Sequence, residues 1–299
     1  MCNGSIMDKL ISFSLPLMIS GMLQLMFNAV DIVVVGRFTG SSALAAVGST
    51  TALIAVFTNL FIGISLGANV LAARFYATDR QKEMSETVHT SILFALLSGL
   101  VMAVVGLLMA KPALEIMGTP DNVIDQSVLY MRIYFMGMPF FMIYNYGAAI
   151  LRAIGDTKRP LIFLIVAGVT NAVLNLFLVI VFHLGVAGVA IATIISQFIS
   201  CVLVIRCLYK SEGSYQFRFS KLQIKSVYLK QIFQVGIPAG IQSTVINISN
   251  ALLQSSVNSF GSVAMAGYTA ANNIFGFLYV SVNSVTQACM SFTSQNYGV

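Results

Sequence analysis

Residues 161–182 read LIFLIVAGVTNAVLNLFLVIVF and carry no charged side chain. After a short break at His183-Leu184-Gly185, residues 186–205, VAGVAIATIISQFISCVLVI, are charge-free as well. A helix needs about 20 apolar residues to cross the hydrocarbon core of a bilayer, and each run supplies them. Two such runs back to back predict an antiparallel pair of spanning helices. Working outward, six more apolar segments appear, so spans are predicted at 10–35, 44–73, 87–110, 125–150, 160–182, 186–208, 231–258 and 266–293. Eight spans make an all-α integral membrane bundle, not an anchored soluble domain.

Composition agrees. Of the 299 residues, 58% are hydrophobic and 9% are charged, and the mean hydropathy is +0.88. An average soluble domain carries about 25% charged residues. Ten acids and sixteen bases cannot cover a fold of this size with a water-facing surface. The first apolar stretch, Leu10 to Val35, is too long for a signal-peptide core and reads as a retained span. Cys2, Cys201, Cys207 and Cys289 show no paired spacing, and His89 and His183 lie far apart. Neither a disulfide framework nor a metal cluster is expected.

The net charge of +6 is explained by where the bases fall. With eight spans, alternate loops share a side. Lys9, Arg74, Arg80, Lys82, Arg152, Lys158, Arg159, Arg206, Lys210, Arg218, Lys221, Lys225 and Lys230 fall on one side, and only Arg37 and Lys111 on the other. Arg132 lies within the fourth span. This asymmetry predicts a plasma-membrane protein with both visible termini in the cytoplasm, and it argues against nucleic acid as a partner. The polar, basic stretch 210–229 divides an amino-terminal six-helix lobe (1–209) from two further helices (230–299). Offset by 222 positions, Pro16, Ile19, Asn28, Val35 and Phe38 meet Pro238, Ile241, Asn250, Val257 and Phe260. Those identities alone are at chance level. The shared order of features is stronger: an early proline, a polar stripe, a short Gly/Ser hinge, then small residues opening the next helix. A parallel six-helix repeat is expected, with the chain ending after two helices of its second unit, as a fragment would.

Asp31 is the one acid deep in an apolar run. A central Asp costs about 2.5–3.5 kcal/mol on insertion scales and ordinarily faces a bundle interior on an ion or proton path. Ser20, Gln24, Asn28 and Asp31 follow spacings of four, four and three, which puts them on one helix face. Asn171 and Asn175 make a similar pair on the fifth span; Thr193, Ser196 and Gln197 lie on the sixth; and Ser243, Asn247, Asn250, Gln254 and Asn258 on the seventh. Such stripes serve as interhelical glue or line a central polar cavity. Pro16, Pro139 and Pro238 fall inside spans, where proline removes a backbone hydrogen bond and bends a helix. Gly63-x-x-x-Gly67 and Gly236-x-x-x-Gly240 allow close helix approach. No nucleophile–base pair, HExxH or phosphate-binding loop is present, so neither an intramembrane enzyme nor an ATP-driven pump is supported.

Three stretches carry a resemblance: Leu15-Pro16 with Asn28-Ala29-Val30-Asp31-Ile32-Val33-Val34-Val35-Gly36, then Ala43-Leu44-Ala45-Ala46-Val47-Gly48, and Leu151-Arg152-Ala153-Ile154-Gly155-Asp156-Thr157-Lys158-Arg159-Pro160. Together they resemble the multidrug and toxic compound extrusion (MATE) family over the whole chain. The resemblance implies a bundle of twelve helices in two lobes, of which eight, six plus two, are visible here. It also implies export of amphiphilic, often cationic compounds in exchange for H⁺ or Na⁺, with no other cofactor, by a protein that is monomeric when full length. The family's amino-lobe cation site falls on Asp31, Asn171 and Thr193, and its bending proline on Pro16. Many members carry a second carboxylate where this chain has Asn175, and some use a seventh-span acid that is missing here. A Na⁺ ion would sit among Asp31, Asn171, Asn175 and Thr193, and Gln24, Asn28, Asn247, Asn250 and Gln254 would face substrate. Two rivals remain: a flippase for lipid-linked sugars of the same superfamily, whose cavity should be basic where only Arg132 is available within the spans, and a non-transporting truncated remnant.

Overall fold

The computed structural model describes residues 5–258 and 262–297. Its helices are α1 (Ile6–Phe38), α2 (Ser41–Ala77), α3 (Gln81–Ile116), α4 (Asp121–Met136), α5 (Met138–Ala153), α6 (Lys158–Leu176), α7 (Gly185–Lys210), α8 (Ser226–Asn258) and α9 (Ser262–Tyr297). A π-helical turn, Phe177–Val181, extends α6. Helix is the only open-ended element that satisfies its own backbone polar groups in lipid. Among the described residues the helices α1, α2, α3, α6 with its π turn, and α7 are each long and apolar enough to cross a membrane, and α4 and α5 are so when taken together as one bent pair. Large apolar side chains face outward along them, such as Leu108 at 70% exposure and Val173 at 59%, a surface suited to lipid and not to water.

The expected single fourth span over 125–150 is corrected. The chain bends by 48° between α4 and α5. Pro139 sits in the first turn of α5, where its missing N–H costs nothing but the helix of α4 cannot continue through it. The carbonyl of Gly137 instead caps the new helix, accepting from the N–H groups of Phe140 and Phe141, both at 3.1 Å. By contrast α1 and α8 run on through Pro16 and Pro238.

The broadest helix–helix packing is between α2 and α8, and the two small-residue motifs make it. A Cβ placed on Gly63 would lie 2.2 Å from the Cα of Gly240, and one on Gly67 2.2 Å from the carbonyl oxygen of Ile232. From the other side, a Cβ on Gly236 would lie 2.5 Å from the Cα of Ile64. The two motifs therefore face each other, backbone on backbone.

The loops bearing most of the lysines and arginines meet at one end of the bundle. Lys225 pairs with Glu86 at 3.8 Å, Tyr76 packs on Tyr215, and Lys9 shares a surface cleft with Lys158. The 211–225 stretch is not a free tether. Phe217 is buried and stacks on the buried His89 ring, centroids 5.5 Å apart. His89 Nδ1 bonds the Ser85 carbonyl at 2.6 Å, and its Nε2 accepts from the Arg218 N–H at 3.0 Å. The Lys225 N–H donates to Thr90 Oγ1 at 3.1 Å.

Two outcomes follow from this packing. Gly63→Ala should lower stability by about 1–3 kcal/mol, because backbone cannot yield as a side-chain tip does; the midpoint of thermal unfolding in detergent reads it. His89→Ala should free the linker, since the lost bond and ring stack are worth about 1–3 kcal/mol. Trypsin cleavage after Arg218 and Lys221 should then accelerate severalfold while the helices stay folded by circular dichroism.

Candidate functional site

A cavity of about 490 Å³ runs inside the bundle among α1, α2, α4, α5, α6, α7 and α9. The helix α1 presents Gln24, Phe27, Asn28 and Asp31 to it, spaced as one helical face. Asn171 of α6 lines it as well, with Thr193, Ser196, Gln197 and Ser200 of α7. Tyr130 and Tyr134 of α4, Tyr144, Asn145 and Arg152 of α5, and Asn283 and Gln287 of α9 complete it. Gly168 makes this closeness possible: a Cβ there would lie 1.8 Å from the ring of Phe27. With hydrogen in that place, α6 approaches α1 and brings its two asparagines to Asp31.

Asp31, Asn175, Asn171 and Thr193 form one hydrogen-bonded chain. Asn175 Nδ2 donates to both Asp31 Oδ1 and Asn171 Oδ1, the second at 3.2 Å. Asn171 Nδ2 donates to Thr193 Oγ1 at 3.4 Å, and Thr193 Oγ1 donates to the Val189 carbonyl at 3.0 Å. Asn175 is fully buried. Both its amide hydrogens are used, yet its Oδ1 has no partner. A buried acceptor left unmet costs about 1–3 kcal/mol, so this oxygen is open to a proton donor or a cation. The oxygen-rich set suits a hard ion such as Na⁺.

The sequence-predicted residues divide. Asp31, Asn171, Asn175 and Thr193 come together, and Gln24 and Asn28 line the same cavity. Ser20 instead bonds the Pro16 carbonyl within its own helix, and Pro16 is buried in α1 away from the lining. Asn250 is exposed on α8 and is not part of this wall. The side chains of Asn247 and Gln254 lie outside the described residues. The basic residue of the cavity is also corrected: Arg132 is exposed on α4, whereas Arg152, read from sequence as a loop residue, lines the cavity. Asn283 and Gln287 were missed although their spacing of four was visible. Tyr130 and Tyr134 share that spacing.

Below Gln287, the next positions on the same face of α9 close the wall against α2 and α5. Ser291 Oγ donates to Asn69 Oδ1 at 3.0 Å, Asn69 Nδ2 donates to the Ala149 carbonyl at 2.8 Å, and Gln295 Nε2 donates to the Ala153 carbonyl at 2.5 Å. Asn69, Ser291 and Gln295 are all buried. Asn69→Leu should therefore leave the buried Ser291 hydroxyl without its acceptor and destabilise the packing of α9 by about 1–3 kcal/mol. Faster hydrogen exchange over 287–297, with α3 unchanged, would report it.

Comparison with known proteins adds the following. The MatE family model matches residues 16–177 and 238–299. The chain is 33% identical over 295 residues to "Probable multidrug resistance protein YoeA" of Bacillus subtilis (strain 168), an alignment covering 96% of this chain and 63% of that protein. It is 23% identical over 298 residues to "Multidrug export protein MepA" of Staphylococcus haemolyticus (strain JCSC1435), covering 99% and 65%. The chain thus spans a little under two-thirds of the length of these relatives. A solved MOP superfamily transporter from Pyrococcus furiosus Vc1 (DSM3638) shares the fold, with a TM-score of 0.91 at 23% identity over 99% of this chain and 66% of that one.

Proposed function

The chain belongs to the MatE family, and on that premise we propose that it houses the ion-coupling and substrate-binding lobe of an exporter that exchanges amphiphilic compounds for H⁺ or Na⁺. The observation that carries this reading is the pairing of Asp31 with Asn175, whose buried Oδ1 lacks a partner. Protonated Asp31 gains an O–H that can donate to that oxygen while Asn175 Nδ2 still donates back, closing an acid–amide ring. A Na⁺ ion would meet the same oxygen together with Asp31, Asn171 and Thr193. Either ion neutralises the one acid facing the cavity and completes the polar chain between α1, α6 and α7. Antiport requires in addition that substrate and ion favour different arrangements of these helices.

Support for the wider arrangement is of the same kind. The two stretches matched by the family begin at Pro16 and Pro238, the prolines aligned by the internal offset. Residues 1–209 then form one lobe, 210–229 the linker and 230–299 the opening helices of a second lobe. The basic end faces the cytoplasm by the positive-inside rule, in a plasma membrane. A monomer is the working unit. The flippase reading is weaker because, among the described residues, Arg152 is the one base lining the cavity, and a pyrophosphate calls for several.

The test is transport in everted vesicles holding the whole protein that carries this chain, under an imposed pH or Na⁺ gradient. Asp31→Asn should abolish uphill export without reducing membrane insertion, since a neutral residue inserts more easily. Asn171→Ala and Thr193→Ala should slow export by about tenfold at most, the worth of one neutral hydrogen bond. Asn175→Asp should add a second titrating acid and alter the pH profile. Uphill export at the normal rate by Asp31→Asn would remove Asp31 from the mechanism.

A further inference from the structure

The Arg152 guanidinium has no assigned role in ion coupling, and its setting is unlike that of the other bases. Arg159, a few positions along the chain, is exposed and paired with Asp156 at 3.1 Å, and Lys158 is exposed. Arg152 is half-buried and lines the cavity. Among the described residues it makes no ion pair. The backbone acceptors flanking it on α5 are already occupied, Ala149 by Asn69 and Ala153 by Gln295. The neighbouring Tyr144 hydroxyl donates elsewhere, to the Pro160 carbonyl at 3.2 Å. Arginine cannot discharge by losing its proton. It presents a planar fork of donors that fits a carboxylate or a phosphate. A cavity-facing fork with no counter-ion among the described residues is a place for an anion brought in from outside.

The position gives that anion a context. Arg152 is the penultimate residue of α5, at the basic end of the bundle, whereas Asp31 lies about 33 Å of helix rise beyond Lys9 along α1. Both charges line one cavity, together with the aromatic side chains of Phe27, Phe141 and Tyr144.

We infer that Arg152 is a substrate-binding residue, and that the cavity takes amphiphiles bearing an acidic group (carboxylate, sulfonate or phosphate) on an aromatic or apolar body. The inference rests on the reading of this cavity as the substrate site. Arg152 holds the acidic group at the basic end while the body lies along the aromatic wall. A residue serving topology alone would prefer no ligand over another.

The experiment uses the protein in nanodiscs of neutral phosphatidylcholine and two fluorescent probes, dansylglycine and its uncharged amide. They share one apolar body and differ in the carboxylate. The wild type should bind the carboxylate about tenfold or more tighter than the amide, the worth of a charge-assisted hydrogen bond. In Arg152→Gln that ratio should fall to about one, with a cooperative melting transition retained. Arg152→Lys should keep a preference, weakened severalfold because an ammonium lacks the fork. Should Arg152→Gln fail to fold, the lysine variant decides, and a ratio unchanged from wild type overturns the inference. Equal binding of both probes by the wild type, or a preference that survives Arg152→Gln, overturns the role of Arg152 and leaves the substrate site standing. Binding of neither probe overturns the substrate site itself and the inference with it.

Discussion

The contact on which the remaining architecture depends is the glycine seam between α2 and α8. Lipid tails are as apolar as leucine, so helices in a bilayer gain little by hiding hydrophobic faces from one another. They associate where backbones approach closely enough for dispersion to accumulate. Gly63 and Gly67 meet Gly236 and Gly240 across that seam, and nothing larger than hydrogen fits between. The seam joins α2 to α8, the first helix after the 211–225 stretch. With α8 set against α2, α9 is held beside α1 and α2, and its polar face is presented to the cavity and to the buried bonds at Asn69, Ala149 and Ala153.

Two buried polar networks show opposite designs. Around His89 every donor and acceptor of the ring is used: one nitrogen bonds Ser85, the other Arg218, and Phe217 covers the face. A network so satisfied holds one arrangement, which suits an anchor for the linker. Around Asp31 the balance is incomplete. Asn175 spends both hydrogens and keeps a buried, unpartnered oxygen. A network left open by one group responds to whatever supplies it. Among the described residues of this network Asp31 is the one acid, with a neutral neighbour, Asn175, able to bond both its ionised and its protonated forms.

Much of this was legible beforehand. The membrane class, the helical fold and the positions of the first, second, third, fifth and sixth spans follow from apolar runs long enough to cross a bilayer, because lipid admits few alternatives for an apolar chain. The helices α8 and α9 form where spans are expected, without meeting the same length and apolarity among the described residues. The stripes on α1, α6 and α7 were readable for the same kind of reason: a period of 3.6 places Gln24, Asn28 and Asp31 on one face and Asn171 with Asn175 on another. The glycine motifs were visible as motifs, but their mutual contact was not.

Sequence alone determined which segments are helices and which faces are polar, since both depend on neighbours a few positions away. Only the tertiary structure decided which faces meet. The docking of Phe217 on His89 and the exchange of Arg132 for Arg152 as the base of the cavity depend on segments far apart in the chain. Arg132 and Arg152 are chemically alike and both lie near helix ends. What separates them is the rotation of α4 and α5 about their axes after the bend at Gly137, which sends one guanidinium outward and the other into the cavity. Such a rotation is fixed by packing against several helices at once, and no local pattern of residues encodes it.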